Sequence, residues 1–192
     1  MWAKGASSSG NTRTSVKKEF RRTFENAKRG DATAQSILGY WYLKGLAGPR
    51  NYAKARLWLR KAAAQGQTEA ITNLGLMFQL GDGVRADYRQ AVYWFDKAAR
   101  LGDTMAQVNL GLMYINGTGV RANPARGVWW LRKAARKGDA KGMYNVSLAY
   151  LYGVGVQKNS RTAKRYMEGA ADAGDSDAKL FLRKRSNEFS PQ

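Results

Sequence analysis

Five glycines, Gly30, Gly66, Gly102, Gly138 and Gly174, stand 36 residues apart, and no other feature constrains the fold of this chain as strongly. The stretches between them align without a gap through four units, 30–65, 66–101, 102–137 and 138–173, followed by half of a fifth. A repeat of this length is one supersecondary unit that cannot bury its apolar face alone, so neighbouring units must stack and share a core.

With each of these glycines as position zero, position 4 holds Ala34, Ala70, Ala106, Gly142 and Ala178. Positions 8 and 9 read Leu38-Gly39, Leu74-Gly75, Leu110-Gly111 and Val146-Ser147, small residues that let another helix come close. Position 15 is Gly45, Gly81, Gly117 and Gly153, and "GDGV", "GTGV" and "GVGV" are one turn made three times, with "GLAG" as a degraded copy. Position 21 is Asn51, Asp87, Asn123 and Asn159, each a good N-cap, and Pro124 takes the favoured first helical position. From there Ala55, Ala91, Gly127 and Ala163, then Trp58, Trp94, Trp130 and Tyr166, then paired alanines ending at Ala63, Ala99, Ala135 and Ala171 trace one helical face. The next unit glycine suits a left-handed C′ residue, and Asp31, Asp103, Asp139 and Asp175 can cap the following helix.

Every unit thus reads as helix, glycine-rich turn, helix. A Gly-x-Gly in a basic chain invites comparison with phosphate-binding loops, but those lie between a strand and a helix. Here the motif lies between two helices, so the glycines are read as suppliers of positive φ, with Val84, Val120 and Val156 anchoring the turn. The Trp series is read as packing between units.

The unit pattern A-x-x-x-L-G-x-M-Y-x-x-G-x-G-V-x-x-D-x-x-x-A-x-x-W-x-x-K-A-A-x-x-G resembles the Sel-1-like repeat, a relative of the tetratricopeptide repeat with a longer turn. The second and third units match nearly every motif position, the first departs at "GLAGPRN", and the fourth replaces Leu-Gly by Val146-Ser147 and Trp by Tyr166. The resemblance implies an all-α, right-handed α-solenoid whose first helices line a concave surface. It also implies an adaptor or scaffold without chemistry of its own, as in bacterial regulators, host-interaction factors and immunity proteins that neutralise secreted toxins. No substrate or cofactor carries over. The segment 15–29, with Phe20, Phe24 and Ala27 on one face, is expected to be an N-terminal capping helix, and 174–186 a C-terminal one, since repeat arrays need atypical ends. Residues 1–14 and 187–192 are polar and expected to be tails.

Composition narrows the chemistry. The chain has neither cysteine nor histidine, which removes disulfides, thiolate nucleophiles, histidine bases and nearly every zinc site. Of its 14 carboxylates, Asp31, Asp87, Asp103, Asp139 and Asp175 are assigned to caps, and Glu69, Asp82, Asp96, Glu168 and Asp172 show no paired spacing for acid–base work. The chain is therefore read as no enzyme, with no cofactor, metal or small-molecule substrate. No apolar run approaches the roughly 20 residues that span a bilayer, and the start, "MWAKGASSSGNTRTS", has no apolar signal core. Both the cytoplasm and, given a removed upstream signal, the bacterial periplasm stay open.

Once the motif positions are assigned to the core, positions 3, 7, 10 and 14 of the first helices remain for a concave binding stripe. They are Glu69, Asn73, Leu76 and Leu80 in the second unit, Met105, Asn109, Leu112 and Asn116 in the third, and Lys141, Asn145, Leu148 and Tyr152 in the fourth. Spaced asparagines can hydrogen-bond an extended peptide while apolar neighbours take its side chains. Equally, these asparagines can bond neighbouring repeats or turns.

The formal charge of +19 favours an anionic partner. Fifteen of the 33 basic residues fall on second helices, including Arg56, Arg60, Arg132, Lys133, Arg136 and Lys137, and only Lys44 and Lys141 on first helices. Charge thus gathers on the presumed convex side and the ends. The leading expectation is a scaffold that binds an acidic protein, as a bacterial regulator or an immunity protein would. The alternative is electrostatic binding of nucleic acid or anionic lipid, for which charge alone speaks, and a solvated basic face without a partner is the plain alternative to both.

Overall fold

A computed structural model describes residues 8–46 and 48–189. Among the described residues it contains ten α-helices, a closing 3-10 turn and no strand. Helix α1 (Ser8–Lys28) precedes four helix pairs: α2 (Ala32–Lys44) with α3 (Tyr52–Ala64), α4 (Thr68–Leu80) with α5 (Tyr88–Arg100), α6 (Thr104–Asn116) with α7 (Pro124–Arg136), and α8 (Ala140–Tyr152) with α9 (Ser160–Asp172). Helix α10 (Ser176–Arg185) and a 3-10 turn (Ser186–Phe189) close the array. Each of the eight paired helices has 13 residues, a rod of about 20 Å at 1.5 Å per residue. Equal rods on an equal period build an α-solenoid.

Local chemistry sets these lengths. The side chains of Asp31, Asp103, Asp139 and Asp175 accept from the backbone N–H three residues on, at 2.6 to 2.8 Å. Asn51, Asp87, Asn123 and Asn159 do the same for the second helices. Only α4 departs: Gln67 makes no cap bond and instead reaches Thr33 of the preceding unit at 2.9 Å. First helices end where Gly45, Gly81, Gly117 and Gly153 turn left-handed at φ of 72, 76, 70 and 76°, and their N–H groups return to the helix.

The second glycine of each turn has a further duty. A Cβ at Gly83 would collide with Tyr52, at Gly119 with the Tyr88 carbonyl, and at Gly155 with Pro124. Each of these partners is the first residue of the preceding unit's second helix, so the turns stack along the array. In the first unit this place is taken by Ala47, which lies outside the described residues. No helix start precedes it, because α1 runs unbroken through Val16, the equivalent of Tyr52. The degraded "GLAG" coincides with the unit that has no helix start one period upstream. Of the three turn valines, all half-buried, Val120 packs against the main core cluster.

Within each unit the helices meet at small residues. Gly75 faces the Phe95 ring, and Gly111 lies against Gly127, where an added Cβ would sit 2.9 Å from the opposing carbonyl oxygen. Ser147 replaces glycine in the fourth unit without leaving a buried hydroxyl unpaired, because its Oγ donates to the Ala163 carbonyl at 2.6 Å. First helices also touch one another in order, α2 to α4, α4 to α6 and α6 to α8, with no comparable contact among second helices. Successive first helices are drawn together and second helices splay outward. This arrangement makes one inner and one outer face.

Both ends are larger than the sequence suggests. Helix α1 begins at Ser8, not near residue 15, so part of the expected tail 1–14 is helical, while residues 1–7 lie outside the described residues. Phe24 of α1 meets Trp58 edge to face at 6.1 Å and seals the first core. At the other end the expected tail 187–192 contributes Phe189, which is buried against Leu151, Met167 and Phe181 in the position of a fifth unit's turn. Residues 190–192 lie outside the described residues.

Candidate functional site

The residues of the stripe read from the sequence lie on α4, α6 and α8, exposed or half-buried. Leu80, Met105 and Tyr152 are exposed at 68, 54 and 55%, large values for apolar side chains that serve no core. Leu76, Leu112 and Leu148 are half-buried and form its floor, and Glu69, Asn116 and Lys141 are exposed along it. The first unit extends the stripe through Ile37 and Tyr40, each 40% exposed. Its net charge over the second to fourth units is nil, one carboxylate and one ammonium.

The asparagines follow neither reading of the sequence in full. Asn73, Asn109 and Asn145 each donate Nδ2 to the carbonyl four residues back on their own helix, at 2.9, 3.0 and 2.8 Å. They tie to no neighbouring repeat. Among the described residues no hydrogen bond takes up their Oδ1 atoms, so each keeps an acceptor on the stripe. At the C-terminal end the Tyr152 hydroxyl donates to Glu188 at 3.2 Å, and Arg185 donates to the same carboxylate at 3.2 Å. Partial desolvation of the hydroxyl and the Glu188 contact push Tyr152 above its usual pKa, so it stays a donor. The closing 3-10 turn thereby bounds the stripe.

The second helices present the opposite chemistry. Lys61, Lys97 and Lys133 lie over Trp58, Trp94 and Trp130 at 4.7, 5.9 and 5.1 Å, a cation–aromatic pair repeated in three units. Arg132 lies over Tyr150 at 5.2 Å, Lys137 donates to the Gly102 carbonyl at 2.7 Å, and Arg56 reaches the Gly83 carbonyl at 3.4 Å. Arg60 and Arg136 stand exposed. The six cations therefore fall into two groups, one on α3 and one on α7 with its C-cap. Between them on α5, Asp96 holds Arg100 at 2.6 Å and raises the guanidinium pKa further.

Sequence reasoning missed the position beside the Trp series. Tyr93 and Trp129 are 57 and 50% exposed, one residue before the half-buried Trp94 and the buried Trp130. A step of about 100° around the helix separates the two positions, and plotting that angle would have found them. Also missed were Gln35 and Gln107, buried at 5 and 2% exposure, whose Nε2 atoms hold the last-turn carbonyls of Ala27 and Ala99 on the preceding helices at 3.1 and 3.0 Å. A buried amide at a core position shows in sequence only as a break in the apolar pattern.

Comparison with known proteins places this architecture. A family model described as Sel1 repeat matches four times in succession, at residues 32–67, 68–103, 104–139 and 140–175. Among solved structures the chain is similar to a protective antigen of uropathogenic Escherichia coli displaying an SLR fold, at 38% identity and a TM-score of 0.81, over 87% of this chain and 36% of that one. It thus spans about a third of that antigen's length. A Sel1 repeat protein from Oxalobacter formigenes is 28% identical with a TM-score of 0.82, covering 90% of this chain and 70% of that one. A Klebsiella pneumoniae protein described as a sel1 repeat protein shares the fold at 23% identity and a TM-score of 0.61, covering 86% of this chain and 82% of its own. No curated protein sequence matches the chain. Sel1 repeat proteins are generally protein-interaction scaffolds rather than enzymes. With four consecutive matches over 144 of its 192 residues, on the helix pairs and turns described above, the chain belongs to the Sel1 repeat family.

Proposed function

We propose that this protein is a non-catalytic scaffold that binds an acidic protein, in the manner of a bacterial regulator or of an immunity protein that inhibits a secreted effector. The observation that carries this reading is the division of the surface: a nearly uncharged stripe of apolar and asparagine side chains inside and cations outside on a chain of charge +19. The inner stripe suits an extended segment whose N–H groups meet the free Oδ1 atoms of Asn73, Asn109 and Asn145 and whose apolar side chains meet Leu80, Met105 and Tyr152. The outer cations steer an acidic partner toward either face and speed its arrival.

The carboxylates support the non-catalytic part. Asp96 is tied to Arg100 and Glu168 lies 3.9 Å from Lys164, while five others cap helices. The test is capture from a bacterial lysate on the tagged protein at low and high salt. An acidic protein held stoichiometrically, and released progressively as salt rises, is the expected result. Recovery of nucleic acid or lipid with no protein overturns the reading.

A further inference from the structure

We infer that the groove between α5 and α7 on the outer face is a docking site for an acidic peptide segment of the partner, with Trp129 as its anchor. This rests on the scaffold reading above and specifies where charge meets charge. The groove has a volume of about 360 Å³ and is lined by Arg100, Arg126, Trp129, Trp130 and Lys133. It lies near the small end of the range for small-molecule clefts and is open along one side, a shape for a short chain segment rather than an enclosed ligand.

Three observations set the chemistry of the occupant. First, α7 contains Arg126, Arg132, Lys133 and Arg136 and no carboxylate, and none of these cations takes part in an ion pair among the described residues. The nearest acid on α5, Asp96, is already engaged by Arg100 at 2.6 Å. The groove therefore offers positive charge with no carboxylate of its own left to meet it. Second, its floor is aromatic: Trp129, half exposed, meets Trp130 in a T-shaped contact at 4.6 Å. Trp and Arg in a concave, partly desolvated patch are the residue types that dominate binding energy at protein interfaces. Third, the indole N–H of Trp130, a residue of the groove lining, is buried and finds no hydrogen-bond acceptor among the described residues, as is that of Trp94 one unit earlier, so the lining holds a donor that the chain leaves unused.

The same geometry disfavours a nucleic-acid strand. Single-strand binding needs bare aromatic faces for bases to stack on and a continuous basic track for the backbone. Here Lys133 sits over the Trp129 ring at 4.1 Å, so a face that a base would stack on already carries a cation. A carboxylate beside Lys133 keeps that cation–aromatic pair intact, whereas a stacked base displaces it. The occupant that fits is a segment with several Asp or Glu residues and one apolar side chain against the part of Trp129 that Lys133 leaves uncovered.

The probe is a labelled peptide of eight glutamates around a central phenylalanine, with a glutamine-for-glutamate peptide and a dodecathymidylate as comparisons, measured by fluorescence anisotropy on the full chain. The glutamate peptide is expected to bind, and Trp129→Ala and the pair Arg126→Glu with Lys133→Glu each to weaken it about tenfold, the scale of a single interface hot spot. The pair Arg56→Glu with Arg60→Glu removes the same charge from α3 and is expected to weaken binding less than about threefold through screened distance alone. Circular dichroism melts check that each variant folds, and Trp129→Phe, which keeps an aromatic ring, is expected to restore most of the affinity. Equal losses from the α3 and α7 pairs, or an unchanged affinity in Trp129→Ala, overturn the site. Tighter binding of the oligonucleotide with the same dependence on Trp129 also overturns it in favour of base stacking. The lysate capture separates the two levels: a protein partner retained undiminished by Trp129→Ala refutes this groove and leaves the scaffold, while no protein on the unaltered chain removes the scaffold whatever the peptide does.

Discussion

The inner and outer faces of the array obey the same 36-residue period and treat polar groups in opposite ways. On the first helices the recurring polar residue, asparagine, bends back and bonds its own helix, and the stripe it lies on stays electrically quiet. On the second helices the recurring polar residue is a lysine laid over a tryptophan, which keeps its charge and shows it to solvent. Repetition therefore supplies the scaffold twice with a surface, once for shape and once for charge. The two faces differ in how they depend on salt, on side-chain volume and on the packing between them.

The largest effect is expected where the two faces are joined. Gly127 of α7 and Gly111 of α6 are in backbone contact, and a Cβ at Gly127 would lie 2.5 Å from the Gly111 carbonyl oxygen and 2.6 Å from Ile115. Gly127→Val is expected to wedge α6 from α7 and cost about 3 kcal/mol, the upper end for an overpacked core. Urea denaturation followed by circular dichroism measures it. A loss under about 1 kcal/mol would show that the pair of helices can part cheaply and that the faces are less coupled than their packing indicates.

The next effect separates the faces by charge. Raising the ionic strength from 0.1 to 1 M shortens the screening length from about 10 Å to about 3 Å. Partner binding that uses the outer cations is expected to weaken by at least about tenfold over that range, while a segment held only in the inner stripe keeps its affinity or gains some. Titration calorimetry with the captured partner gives the answer directly. Binding that is flat with salt would move the interface to the inner stripe alone.

A third effect separates them by shape. Leu80 is 68% exposed and Met105 54%, so replacing both with glutamate changes stability by less than about 1 kcal/mol in total. It also places two like charges on the stripe facing an acidic partner, and the affinity is expected to fall about tenfold if that partner lies along it. An unchanged affinity would assign the whole interface to the outer side.

The scaffold was legible in the sequence because its determinants are local and repeated. An N-cap carboxylate or amide and a glycine with positive φ act within three or four residues, so Asp103, Asn123, Gly117 and Gly138 announce helix ends without knowledge of the fold. The ends were less legible, because they are not repeats. Nothing in a half unit marks Phe189 as core, since its burial depends on α9 lying beneath it, and the polar stretch before Ser15 carries no apolar period although it continues α1. The candidate surfaces were legible in part. Positions 3, 7, 10 and 14 follow from subtraction of the core, but Trp129 next to Trp130 looks like more of the same, and only the helical angle between them exposes one and buries the other. The degraded first turn coincides with the one unit that has no helix start at the equivalent upstream position, Val16 lying inside α1.

The smallest effect tests whether the asparagine series belongs to the stripe or to the helices. Each Nδ2-to-carbonyl bond is exposed and satisfies a carbonyl that already receives its helical N–H partner, so Asn109→Ala is expected to change stability by no more than about 0.5 kcal/mol. Alanine's helix propensity exceeds that of asparagine and offsets part of even that. A role in binding predicts a different pattern: the triple change of Asn73, Asn109 and Asn145 to alanine leaves the melting curve nearly in place and weakens the partner by several-fold, since three acceptors facing an extended backbone are lost together. A purely structural role predicts the reverse, a lowered melting temperature with the affinity of the folded fraction intact. The asparagines are spaced one unit apart on first helices that touch in series, so the losses on binding should add when the partner is extended along the stripe and should not when it touches one unit only.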